Sequence, residues 1–164
     1  RRSSDLTALA GLSACGFRLR QAPTFAFAGL RFEGAQGTVA AALARELRSG
    51  GLSVWLPGAA IPQDVPPPVV LQVQSDQRER TVVGQTATGE VRELQLRHRW
   101  RFLLRTAQGR ELIESTELLL ERDIGFRETA VLPKQAEEEL LYREMRDDLV
   151  QQMVRRLAAV RLPG

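Results

Sequence analysis

Cys15 is the only cysteine of the 164-residue chain, and it closes the tetrapeptide Leu12-Ser13-Ala14-Cys15. A leucine, two small residues and then a cysteine read as a bacterial lipobox. In that chemistry the thiol accepts a diacylglycerol, the peptide is cut ahead of the cysteine, and the new amino terminus is acylated. Several chains then hold the protein to a membrane at ~0.8 kcal/mol per buried methylene. The upstream residues fit a secretory signal: Arg1-Arg2 supply a basic start and Leu6 to Leu12 a short apolar run,. Residues 1–14 are expected to be a cleaved lipoprotein signal, and residues 15–164 a single domain anchored at Cys15. The alternative is that Cys15 is a small core residue in a helix. Gly16, not Asp, follows the cysteine. In lipoproteins of two-membrane bacteria an Asp there favours the inner membrane, so Gly16 points to the outer one.

A second constellation is a row of guanidinium groups. Arg97, Arg99, Arg101 and Arg105 alternate with Leu94, Leu96, His98, Trp100, Phe102 and Leu104. On a strand, alternation places the two sets on opposite faces. Such a row has three readings: it binds phosphates, it is a solvated face paired with Glu111 and Glu117, or it is buried against a protein partner. Arg and Trp are favoured in such interfaces. His98 falls on the apolar face, as a core histidine with a backbone partner. Lys134 stands out because every other one of the 23 basic residues is arginine. It falls in the first turn of a long helix, where the macrodipole disfavours a cation by up to ~1 kcal/mol. An anion held between the ammonium and the free helix N–H groups would answer that penalty. The alternative is a solvated lysine. Glu137-Glu138-Glu139 are read as complementing the same dipole.

Other chemistries are excluded by arithmetic. One Cys and one His exclude a Cys/His zinc site. No glycine-rich turn runs into Lys-Ser or Lys-Thr, so there is no phosphate-binding loop. No second carboxylate motif supports a hydrolase, and no enzyme or cofactor is expected. The formal net charge is +3, with 20 acidic against 23 basic residues. That balance is not the profile of a nucleic-acid tail. With 43% hydrophobic and 26% charged residues the chain has a globular composition, and no apolar run reaches the ~20 residues of a transmembrane helix.

The elements that must position these groups are legible in outline. Residues 24–32 read as a first strand, with Gly29 marking a bulge. A helix runs from Gly37-Thr38 to about Ser49, with Val39, Leu43 and Leu47 on one face and Gly50-Gly51 ending it. Leu52 to Trp55 form a short strand. Pro57 to Pro68 form a linker, and strand-like runs follow at 69–84, 91–106 and 110–122. The last helix spans Pro133 to about Val160, with Leu141, Met145, Leu149, Met153 and Leu157 as its stripe. An Ala107-Gln108-Gly109 turn sets an expected register of Arg105 with Glu111, Arg99 with Glu117, Gln95 with Glu121, Leu96 with Leu120 and His98 with Leu118. The expected fold is α+β. It is a two-layer sandwich, with a mostly antiparallel or mixed sheet of about four strands and two helices on one face.

The string Cys15-Gly16-Phe17-Arg18-Leu19-Arg20, after the lipobox, resembles the start of mature LPS-assembly lipoproteins of the LptE family. The likeness continues through Leu43-Ala44-Arg45-Glu46-Leu47, the glycine-ended helix, Gly89 and Glu93-Leu94. It closes with Leu132-Pro133-Lys134-Gln135-Ala136-Glu137-Glu138, Leu140-Leu141-Tyr142-Arg143-Glu144-Met145 and Arg155-Arg156-Leu157. It covers residues 12 to 162. The resemblance implies a lipid-anchored protein on the periplasmic side of the outer membrane. It also implies that the chain plugs and helps assemble the LptD barrel and binds lipopolysaccharide during insertion into the outer leaflet. Lys134 matches the family's basic position ahead of the last helix. The family's second basic position falls near Ala87, which is not basic; Arg80 and Arg92 are the candidates to replace it. The competing reading is an independent periplasmic lipid-carrier lipoprotein. A carrier needs an enclosed apolar cavity and a plug needs a polar face; the arginine row favours the plug.

Overall fold

The computed structural model describes residues 23–125 and 131–163, with the backbone alone at 131–133. The lipobox and the residues before it lie outside that range. Five strands and two helices follow in the order β1 (Gly29–Gly34), α1 (Thr38–Ser49), β2 (Ser53–Trp55), β3 (Val69–Gln85), β4 (Val91–Arg105), β5 (Glu111–Gly125) and α2 (Val131–Ala158). The α+β class holds, with five strands in place of about four. The spatial order is β2-β1-β3-β4-β5. β1 lies parallel to both β2 and β3, while β3, β4 and β5 form an antiparallel meander.

The apolar positions explain the layering. Val39, Leu43 and Leu47 of α1 and Met145, Leu149, Met153 and Leu157 of α2 are buried, as are Leu71, Val73, Trp100, Phe102 and Leu104 of the sheet. Leu141 of the expected stripe is only partly buried, and Tyr142 beside it is buried instead. At ~1.5 Å per residue the 28 residues of α2 reach about 42 Å,. α1 is much shorter, so the distal half of the β3–β4 hairpin extends beyond it. A second, smaller cluster forms there from Leu96, Ile124, Tyr142 and Met145.

Several expectations shift in register. β1 begins at Gly29, not residue 24: the segment ahead of it forms no ladder, and Phe27 is buried in the core instead. The turn at Gly109, whose φ is +91°, pairs Arg105 with Glu111 as expected. Two irregularities then intervene between Arg105 and Phe102. Beyond them the partners are Arg101 with Glu117, Arg99 with Leu119, His98 with Leu120, Leu96 with Arg122 and Gln95 with Asp123. Each slip of one residue would exchange the faces. Two slips in the same direction restore them, so the apolar and ionic faces survive a register moved by two residues.

Candidate functional site

The outer face of the sheet carries the arginine row, and each member meets a carboxylate. Arg97 Nε is 2.8 Å from Glu121 and Arg99 Nη1 is 2.9 Å from Glu117. Arg101 Nη2 is 2.6 Å from Glu117 and Arg105 Nη2 is 2.7 Å from Glu33. Glu33 also binds Arg31, and Glu79 lies 3.4 Å from Arg99. The expected Arg99–Glu117 pair is therefore made, diagonally across the shifted register. Arg105 faces Glu111 across the ladder, but its guanidinium is bonded to Glu33 of β1.

Two carboxylates on this face titrate low. Burial opposes the charge on Glu33, but the hydrogen bonds from Arg105 and Arg31 outweigh it and hold its pKa below the usual range. The hydrogen bond from Arg101, then the charge of Arg99, does the same for Glu117. With the folded pKa depressed, what these groups add to stability is complete above the ordinary carboxylate value. It is lost as pH falls through the lowered one. The geometry describes a charge-paired face, with little free positive charge to hold a phosphate.

The second region lies where the distal hairpin meets the start of α2. A one-residue irregularity between Val73 and Ser75 reverses the alternation of β3. Asp76, Arg78 and Arg80 thereby turn toward the helices. Asp76 Oδ1 accepts a 2.7 Å hydrogen bond from His98 Nε2, both side chains being almost fully buried. Asp76 Oδ2 accepts from the Val39 N–H at 3.0 Å, capping α1 from 37 residues away. Gly37 at the α1 N-cap is required by this contact. A Cβ there would lie 2.0 Å from Asp76 Oδ2. His98 is a core residue, but its partner is this carboxylate and not a backbone group.

Arg78 stacks on Tyr142, 4.9 Å from the ring centroid, and lies 3.5 Å from Glu139. Arg80 Nε is 3.4 Å from Glu138. The Tyr142 hydroxyl donates to the Glu79 carbonyl at 2.7 Å; burial, then the charge of Glu138, pushes its pKa up, so it stays protonated. Lys134 Nζ lies 2.7 Å from Glu137. Because α2 begins at Val131, Glu137 to Glu139 stand past its first turn. Their work is to bind Lys134, Arg80 and Arg78, not to complement the dipole. Arg92 is exposed near the hairpin tip and lies 3.7 Å from Glu90.

The fold thus brings Arg80 and Lys134 to adjacent carboxylates of one helix, with Arg92 further out along the same hairpin. Val82, Val83 and Leu140 are exposed on the same arm and helix start. Cations beside exposed apolar side chains suit an anionic amphiphile. Asp76 and Arg78 escaped the sequence reading because no glycine or proline marks the irregularity that turns them inward. Among the described residues no group of His, Cys, Asp and Glu could hold a metal ion, and no helix is long and apolar enough to cross a membrane.

Residues 22–157 match the family described as LptE, lipopolysaccharide-assembly. Among solved structures, lipoprotein B from Nitrosomonas europaea is similar at a TM-score of 0.70 and 29% identity, over 88% of this chain and 91% of that one. The rare lipoprotein B from Shewanella oneidensis is similar at 0.62 and 23%, over 80% and 94%. A minor lipoprotein from Acinetobacter baumannii gives 0.63 and 22%, over 85% and 100%. The last two likenesses show the fold alone. No curated protein matches the sequence.

Proposed function

The chain belongs to the LptE lipopolysaccharide-assembly family, and from that membership we propose that it is an outer-membrane lipoprotein, anchored at Cys15 on the periplasmic side, that plugs the LptD barrel and binds lipopolysaccharide. The carrying observation is the division of labour between the two faces of the sheet. The outer face is polar, with its arginines paired to carboxylates, and arginine is a residue favoured where one protein packs against another. The hairpin arm and the start of α2 bring Arg80 and Lys134 beside exposed Val82 and Leu140, which suits a phosphorylated lipid. The 29% identical relative carries the name lipoprotein, which supports the same reading of Leu12-Ser13-Ala14-Cys15. No step of this function needs a catalytic group.

Lys134 and Arg80 are the proposed contacts to lipopolysaccharide phosphate, with Arg92 extending the site toward the tip. An incoming phosphate must displace or share Glu137 and Glu138, so binding is moderate and salt-sensitive. Lys134→Glu is expected to change stability by less than about 1 kcal/mol, since an exposed pair of this kind contributes little. Affinity for lipopolysaccharide should fall at least about tenfold, the equivalent of ~1.4 kcal/mol, and the loss should shrink at high salt. Titration at two salt concentrations checks this; equal affinities at low salt return Lys134 to a solvated surface role.

The anchor makes a separate prediction. Mass spectrometry of the mature amino terminus should show a triacylated Cys15 with residues 1–14 removed. An unmodified thiol with the first fourteen residues still attached would remove the lipoprotein reading and leave the fold unaffected.

A further inference from the structure

Arginines on the outer sheet face all have carboxylate partners, but those at one end of the domain do not. Arg110, Arg155, Arg156 and Arg161 are exposed, and none has a carboxylate partner among the described residues. The segment 23–28 ties them together. Pro23 and Phe25 line a cleft of about 470 Å³ with Leu47, Val154 and Arg155. Ala26 and Phe27 line a second cleft, of about 510 Å³, with Arg110 and Leu162. Arg156 adjoins Arg155 in a shallow depression at the end of α2, and Arg161 precedes Leu162, which is 43% exposed.

Two carboxylates border this end. Glu46 lines the first cleft and accepts a 3.4 Å hydrogen bond from Gln151, and Glu111 follows Arg110 in sequence while its ladder partner Arg105 is bonded to Glu33; four arginines against these two leave the surface net positive. Helix-dipole complementarity accounts for Arg155 and Arg156 in the last turn of α2,. It does not account for Arg110 in the β4–β5 turn or for Arg161 beyond the helix.

We propose that this end of the domain is a membrane-docking surface, in which Arg110, Arg155, Arg156 and Arg161 meet anionic phospholipid headgroups while Leu162 and Phe25 rest at the acyl boundary. The proposal rests on the reading of Cys15 as the anchor for its geometry. Seven residues lie between Cys15 and Pro23, eight chain steps that span at most about 28 Å, and the chain enters the described domain through this same basic end. Charge complementarity selects the occupant: cations near an anionic bilayer surface add attraction roughly in proportion to their number, and single apolar side chains beside them deepen the contact. A short tether and a basic docking end together fix which way the domain faces from the membrane.

The test uses the full chain with Cys15→Ala, so that no acyl chain contributes, and co-sedimentation with phosphatidylcholine vesicles with or without phosphatidylglycerol. Three proteins are compared: Cys15→Ala alone, with Arg155→Glu/Arg156→Glu added, and with Arg122→Glu/Arg143→Glu added. The last pair changes net charge equally, but Arg143 lies about 18 Å back along α2. Thermal melts verify that all three are folded, and all share the same first fourteen residues. The expected result is binding only to phosphatidylglycerol vesicles, weakened at least about tenfold by Arg155→Glu/Arg156→Glu and by less than about threefold by the distant pair. Equal weakening by both pairs would make the attraction a matter of net charge. That result, no effect of either pair, or no binding by the parent overturns the proposal. Lipidation is read independently on the wild-type chain, so a failure at Cys15 and a failure of the docking surface give different results.

Discussion

Trp100→Ala lowers the stability of the domain by about 3–5 kcal/mol, the range for truncating a large buried aromatic. Trp100 is fully buried at the centre of the larger core cluster, with Phe102 6.5 Å away between ring centroids and Asp76 and Leu118 as its ladder neighbours. At ~2–4 °C per kcal/mol for a chain of this size, the melting temperature falls by about 6–20 °C. One feature separates packing from polar chemistry: the indole Nε1 is buried without an acceptor. Trp100→Phe keeps a ring in place and removes that unpaired donor, whose burial costs about 1–3 kcal/mol. It should therefore cost well under half as much as the alanine variant. Chemical denaturation of the two variants checks both magnitudes; an unchanged midpoint for Trp100→Ala would mean that the ring does not pack under the helices.

Asp76→Ala is expected to cost about 3 kcal/mol, with a fall in melting temperature of about 6–12 °C. Two buried donors lose their acceptor at once. The Val39 N–H loses its cap, an effect of about 1 kcal/mol, and His98 Nε2 is left unpaired in the core, at about 1–3 kcal/mol. Asp76→Asn retains one carbonyl oxygen for the Val39 N–H, and its amide group can donate to His98 Nε2 only with the imidazole proton on Nδ1, which is buried without an acceptor, so its cost should be intermediate. Hydrogen exchange locates the damage: the amide of Val39 should lose protection in Asp76→Ala relative to the centre of α2. Equal stabilities of parent, Asn and Ala variants would show that the carboxylate does not join α1 to the hairpin.

The fold was legible where periodicity is undisturbed. The alternation from Leu94 to Leu104 assigned both faces of β4, and Gly50-Gly51 placed the end of α1 to the residue. Sequence fell short where one irregular residue changes the alternation. The offset near Val73 turns Asp76, Arg78 and Arg80 inward, and nothing in Gln74-Ser75-Asp76 announces it. The offsets between Arg105 and Phe102 moved the β4–β5 register by two while leaving the faces as expected. Electrostatics were partly hidden for a related reason. Lys134 and Glu137 are an i,i+3 pair that helical spacing alone allows,. The partner of Arg80, by contrast, is a carboxylate that a single strand cannot show to be close, because α2 brings Glu138 to β3 only in the folded domain. The same distance in sequence conceals Glu33, which reaches Arg105 from β1.

Purification of the tagged, full-length chain from detergent-solubilised outer membranes tests the central claim most directly. The chain is expected to be recovered with the LptD barrel, in equal amounts and resistant to high salt, because a plug is held by an extensive enclosed surface and not by exposed ion pairs alone. Recovery of the acylated chain by itself, with lipid but without any barrel protein, would contradict the plug and assign the independent lipid-carrier role in its place.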